Sequence, residues 1–210
     1  MTPALRAFGR AFPVFAVLLA VAVLWPRPWM TLIARVSAPI IDAVTPWAQS
    51  ISIDMVDRIF VVSGAIVFDG VLSDGRPMPP IPGTWRQSAL VYLSMLPVAL
   101  TAWAIPAVPW RRRGLALPLA LGLALLLAAL SLTVEIQRAA LESVGSGALV
   151  NITLADIPRN HDLLASLERR LSVLRWTCEF LAAGGRLGLA LLAGFASVLI
   201  MPQSRRTGDA

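Results

Sequence analysis

The residue of this chain with the clearest chemical potential is an arginine set in an apolar run. Arg186 lies six positions into residues 180–201, FLAAGGRLGLALLAGFASVLIM, directly after Gly184 and Gly185. If that run crosses a bilayer, a guanidinium is costly near its centre and less so toward the headgroups. Three arrangements would accommodate it. The side chain can snorkel to the outer headgroups, it can pair with Glu135 or Glu179, or it can hold an anionic ligand or a partner's carboxylate in a cleft beside the two glycines. The small residues Gly184, Gly185, Gly188 and Gly194 also permit close helix packing, which needs no ligand.

Nucleophilic catalysis is the next chemistry to weigh. Cys178 and His161, with arginines nearby, are the residue types of a thiol enzyme, whose base must reach the thiol by a hydrogen bond. Seventeen positions along one helix would hold them about 25 Å apart. Cys178 therefore reads as a small apolar residue at the membrane boundary and His161 as a capping or surface residue. One cysteine excludes an intramolecular disulfide, and one histidine cannot by itself build a Cys/His zinc site. Asp54, Asp57 and Asp69 could bind a cation or do acid/base work, but on a solvent-facing strand they are more simply solubilising. Asn151-Ile152-Thr153 matches a glycosylation sequon. Gly-rich phosphate loops, zinc spacings and Gly-x-Ser-x-Gly elbows do not occur. The expectation is no catalytic residue, no cofactor and no metal.

The elements that carry these residues follow from composition. The 210 residues are 57% hydrophobic and only 14% charged, with a mean hydropathy of +0.74. A soluble domain is nearer about 45–50% apolar with roughly a quarter of its residues charged. Disordered and collagen-like chains are excluded by the same figures. Four runs approach the length of about 20 residues that a helical crossing needs: residues 11–25, 88–108, 114–134 and 180–201. Pro97, Pro106 and Pro118 are tolerable in such spans. The first run is short and follows Arg6 and Arg10, as a signal peptide would. Pro26-Arg27-Pro28-Trp29 stands where a small-residue cleavage site is required, so an uncleaved anchor is expected.

All eighteen basic residues are arginine and the formal charge is +6. They are dispersed, with no basic stripe, so no nucleic-acid partner is expected. Arg6 and Arg10 lie in the tail 1–10, Arg111, Arg112 and Arg113 in the turn 109–113, and Arg205 and Arg206 in the tail 202–210. The longer segments are balanced: 26–87 has five arginines against five aspartates, and 135–179 has five against six acids. The positive-inside rule then puts both termini and the triple-arginine turn in the cytoplasm, with the chain in a bacterial inner membrane. Trp25, Trp29, Trp85 and Trp176 mark the outer boundary and Trp110 the inner one.

Outside the membrane, residues 30–44 have helical spacing. Residues 50–56 alternate, and 59–62 and 65–71 are β-rich. Gly64 suggests a tight turn or bulge, and residues 72–83, with Asp74-Gly75 and four prolines, read as turn and loop. A hairpin or three-stranded sheet is expected. In the second exterior segment, residues 135–143 prolong the third span, Gly145-Ser146-Gly147 interrupts it, and 148–154 can form a short strand. An amphipathic helix over 162–179, capped by Asn160 or Asp162, carries Leu163, Leu164, Leu167, Leu171 and Leu174 on one stripe and can run unbroken into the fourth span. The β segment is expected to cover those leucines. The predicted fold is thus an α-helical integral membrane protein with four transmembrane helices and a small α/β extracytoplasmic module.

With this order of parts, the chain resembles the small multi-span proteins that accompany exosortases, bacterial membrane transpeptidases of protein sorting. The likeness is in layout: the basic tail and first span, the β-rich exterior segment, Pro82-Gly83-Thr84-Trp85-Arg86 leading to a span with Tyr92 and Pro97, the turn at 109–113, and Gly184-Gly185-Arg186 in the closing span. The sorting enzymes have more spans and a Cys/Arg/His set in contexts absent here, so the resemblance implies an accessory and carries over no catalysis. The expected function is a non-enzymatic accessory or scaffold that binds or positions a partner in envelope protein sorting or export. Its expected partners are the lipid bilayer and a membrane protein or a second copy of itself. The alternative is a membrane enzyme or lipid-handling protein that uses Arg186 and nearby acids.

Overall fold

A computed structural model describes residues 3–45, 47–67, 70–72, 74–104, 110–145 and 161–200. Among the features anticipated from sequence, Asp69, Pro106, Asn151, Asn160, the strand over 148–154, Arg205 and Arg206 lie outside the described residues.

The described chain is mostly helical with one small sheet. Helix α1 (Pro3–Leu24) turns sharply into α2 (Pro26–Val44). The apolar part of α1 and α2 meet at 81°. Pro26 explains the break: it has no N–H to continue α1, yet its fixed φ suits the first position of a new helix. Strands β1 (Ala48–Val56), β2 (Ile59–Ile66) and β3 (Ile81–Ser88) form an antiparallel sheet in the order β1-β2-β3. Then come α3 (Ala89–Leu93), α4 (Met95–Ala104), the long α5 (Trp110–Gly145), α6 (His161–Phe180), a π-helical turn (Leu181–Gly185) and α7 (Arg186–Leu199).

Two helical stretches are long and apolar enough to cross a membrane, Gly114–Ser143 and His161–Leu199, or three if the bent α1–α2 pair counts as one. The expected second span, 88–108, differs most. Its first residue belongs to β3, a break at Ser94 divides the rest, and the described helical part, Ala89–Ala104, is shorter than a full crossing. The expected third span and its continuation are one helix, α5. The helix expected over 162–179 and the span over 180–201 are joined through the π turn.

Sheet and helices share one core. Alternate β2 residues Phe60, Val62 and Ile66 are fully buried, as the two-residue side-chain period of a strand requires. The Phe60 ring meets Tyr92 edge-on at 5.9 Å. Full burial of a side chain like Phe60 is worth about 1.5–3 kcal/mol. Trp85, opposite Val62 in β3, donates its indole N–H to Ser143 Oγ of α5 at 3.5 Å. The residues 72–83, read as turn and loop, hold the Asp74-Gly75 turn but end in a third strand. Pro82 and Gly83 disguise it, and they fit because β3 pairs on one side only. Gly64 is no turn, but it sits at an irregularity of the sheet. It lies in regular β2, and the register shift falls on the facing strand between Gln49 and Ser52, where Ser50 takes φ +55°. A Cβ on Gly64 would approach the Gln49 carbonyl oxygen to 3.3 Å, so the glycine accommodates a bulge carried by its neighbour.

Helix α5 is the axis of the fold, packed against α2, α4, α6, α7 and β3. Ala116, Ala120, Ala124, Ala128, Leu132, Ile136 and Ala140 recur every fourth residue and are all buried. This seam of mostly small side chains lets neighbouring helices approach closely. The α6 leucines are covered differently from the expectation. Leu163, Leu167, Leu171 and Leu174 are partly buried and pack against the core because α5 runs beside them, whereas the sheet packs against α2 and α5. The Leu164 side chain lies outside the described residues.

Candidate functional site

Three elements converge on one buried polar cluster. Tyr92 comes from α3, Glu135 from α5 and Arg186 from the start of α7. The Arg186 guanidinium forms an ion pair with one Glu135 carboxylate oxygen. The Tyr92 hydroxyl donates a hydrogen bond to the other. The Arg186 guanidinium carbon also lies 5.5 Å from the Tyr92 ring centroid, within range of a cation–π attraction. Arg186 is only 7% exposed and Tyr92 1%. Charges removed from water this far are retained when paired and hydrogen-bonded, and here both carboxylate oxygens are engaged.

The chain just before Arg186 explains how it faces Glu135. Leu174 and Cys178 look toward the core on the preceding helix. At about 100° per residue, Arg186 in an unbroken helix would point roughly 120° away from the direction of Leu174. The turn Leu181–Gly185 is kinked, with non-helical backbone at Gly184, so the helical count does not run through it, and beyond the kink the guanidinium faces Glu135. Gly184 makes this turn possible, since its φ is +113°, a conformation costly for any residue with a Cβ. A Cβ on Gly185 would meet the Phe180 carbonyl oxygen at 2.7 Å.

The other residues singled out from sequence are dispersed. Glu179 is exposed on α6 and lines an open groove of about 850 Å³ with Glu142, Glu168, Leu171, Arg175 and Trp176. Cys178 is buried in α6 and His161 starts the same helix, so helical geometry separates them as calculated. Asp54 and Asp57 are exposed at the β1–β2 hairpin. No group of three or more His, Cys, Asp or Glu able to hold a metal occurs among the described residues. Thr101, Thr133 and Ser197 are buried, and each donates to a carbonyl of its own helix.

Sequence reasoning did not find Tyr92 as a member of the cluster. The signal available was that it is the only tyrosine in the chain and lies in an apolar run.

No family model, curated protein or solved structure matches this chain.

Proposed function

We propose that this chain is a non-enzymatic accessory protein of a bacterial inner membrane. In this reading it crosses the bilayer four times, through α1, the α3–α4 pair, the first part of α5, and α7. Both termini lie in the cytoplasm, and the sheet and the outer parts of α5 and α6 form its extracytoplasmic module. That module binds or positions a membrane partner, with envelope protein sorting or export as the class of process that the layout resemblance suggests.

The observation that carries the reading is the engagement of Arg186. Its charge is met inside the fold by Glu135, itself hydrogen-bonded by Tyr92, which is what a structural lock between helices requires. The open grooves lie instead along α6, beside side chains suited to contacts with another protein. Residues 110–113, expected in a turn, open helix α5. Reporter fusions at the triple arginine 111–113 and at both tails test the topology: a cytoplasmic signal at all three is expected, and export of the triple arginine overturns it. Site-specific photocrosslinking from the outer half of α6 in intact membranes tests the partner role. A discrete adduct is expected, and no adduct from any position overturns the role.

One observation favours the second reading, a membrane enzyme or lipid-handling protein built on Arg186. The Nε of Arg186 is buried without a hydrogen-bond partner among the described residues, leaving a donor for an anionic group. Arg186→Ala separates the two readings. Loss of function at unchanged abundance supports the second, and loss of abundance with function supports the lock.

A further inference from the structure

The seam between α5 and α6 is flanked by two grooves of opposite charge. The first, described above, carries Glu142, Glu168 and Glu179 against one cation, Arg175. Glu142 is engaged within the chain by Arg175 at 3.1 Å and Arg138 at 3.8 Å, so Glu168 and Glu179 carry the unbalanced charge. The second groove, about 550 Å³, is lined by Val44, Trp47, Arg169, Arg170, Val173 and Leu174. It holds two cations and no acid. Among the described residues, Glu168, Glu179, Arg169 and Arg170 form no ion pair. Glu168 and Arg170 are two positions apart, which on a helix separates them by about 200°. Arg169, one position from Glu168, stands about 100° from it, so Glu168 and Arg170 are the acid and the base that lie on opposite flanks of one helix.

We infer that these flanks are the two halves of one lateral contact, through which copies of this chain associate side by side, the acidic groove of one receiving the Arg169–Arg170 edge of the next. The inference rests on the membrane-spanning reading, because insertion fixes what the contact requires. Copies inserted the same way up stand with α6 at the same height, and Glu168 lies within about 3 Å of Arg169 and Arg170 along the axis, so Glu168 of one copy and that edge of the next meet without any tilt. Glu179, about 16 Å further along the helix and exposed, stays outside the contact, and the complementarity is that of Glu168 against the Arg169–Arg170 edge. Apolar surface accompanies the charges. Trp176 is 69% and Val173 65% exposed, and Trp176 stacks on Phe180 at 6.3 Å. An incoming guanidinium can therefore lie over an indole face as well as beside a carboxylate. Because the two halves differ, the contact is head-to-tail, which closes into a ring or propagates as a row.

The test uses two differently tagged full-length chains, both carrying Cys178→Ser, co-expressed and oxidised in native membranes. One carries Glu168→Cys and the other Arg170→Cys. A disulfide-linked mixed dimer, several-fold more abundant than either self-pair, is expected. Predominant self-pairs indicate a two-fold contact and overturn the inference, as does the absence of any dimer from chains that resist carbonate extraction. Chains released by carbonate overturn the membrane reading beneath it. In a second arm with Cys178 retained, Glu168→Arg should reduce the oligomer seen by size-exclusion chromatography in mild detergent about tenfold. Adding Arg170→Glu to the same chain should restore it, and failure of the double reversal to restore overturns the inference.

Discussion

Glu135 of α5 and Arg186 of α7 neutralise each other inside the helical core, and the Tyr92 hydroxyl occupies the carboxylate oxygen that Arg186 leaves. The pair ties the axial helix to the closing helix at the point where the π turn begins α7. Both partners are largely withdrawn from the surface, with side-chain exposures of 9% for Arg186 and 16% for Glu135.

Removing one partner should therefore do more harm than removing both. Glu135→Ala or Arg186→Ala strands a buried charge, and breaking a buried pair in this way costs about 3–5 kcal/mol. Glu135→Leu combined with Arg186→Met should recover most of that loss, because the double variant buries no charge. Tyr92→Phe removes only the hydroxyl donor and should cost about 1–3 kcal/mol. Thermal unfolding in one detergent, with abundance in membranes alongside, ranks the four variants. Single variants as stable as the double would show that the pair does not bridge α5 and α7.

The ion pair between Arg175 and Glu142 gives a control on the same helices. Its N–O distance is 3.1 Å, but its side chains are 56% and 35% exposed. Water screens such pairs, and exposed pairs contribute about 0–1 kcal/mol. Arg175→Ala should shift the unfolding midpoint little, and raising the salt concentration should have a similarly small effect. A loss comparable to that of Arg186→Ala would mean the groove is more enclosed than its exposure indicates.

What could be read from the sequence divides along local and non-local lines. Residues 30–44 and 162–179 announce themselves as helices through spacing within each segment, and 114–134 through unbroken apolar length. Arg186 stands out because one charge interrupts an apolar run. Its choice of Glu135 over Glu179 was not legible, since it depends on the kink at Gly184 and on how α7 then packs against α5. The α6 leucines pointed to the wrong cover for a similar reason: their stripe shows that something packs there, whereas the length of α5 decides what. Strand β3 was hidden because Pro82 and Gly83 carry loop propensity, and the edge position that tolerates them is a property of the assembled sheet.

Close approach of α4 and α7 makes Gly194 intolerant of any side chain. A Cβ there would overlap the Ala99 carbonyl oxygen and the Ala102 methyl, and the carbonyl, being backbone, cannot yield by changing rotamer. Gly194→Val should cost about 1–3 kcal/mol or more through overpacking. Gly188, in the same helix, has open space where its Cβ would be. Gly188→Ala should be neutral or stabilise by up to about 1 kcal/mol from helix propensity. Parallel unfolding measurements check both, and equal tolerance at the two positions would contradict the α4–α7 packing.

The kink before α7 leads to the last expectation. Gly184 takes φ +113°, which would strain any L side chain by about 1–2 kcal/mol, although a Cβ there would meet nothing within 4 Å. Gly184→Ala should therefore destabilise through its backbone alone. If the kink also sets the direction of Arg186, the same substitution weakens the ion pair with Glu135, and its cost should shrink once the pair has been replaced by Glu135→Leu with Arg186→Met. Thermal unfolding of Gly184→Ala in the two backgrounds decides the matter. Equal losses in both would show that the kink does not set the direction of Arg186.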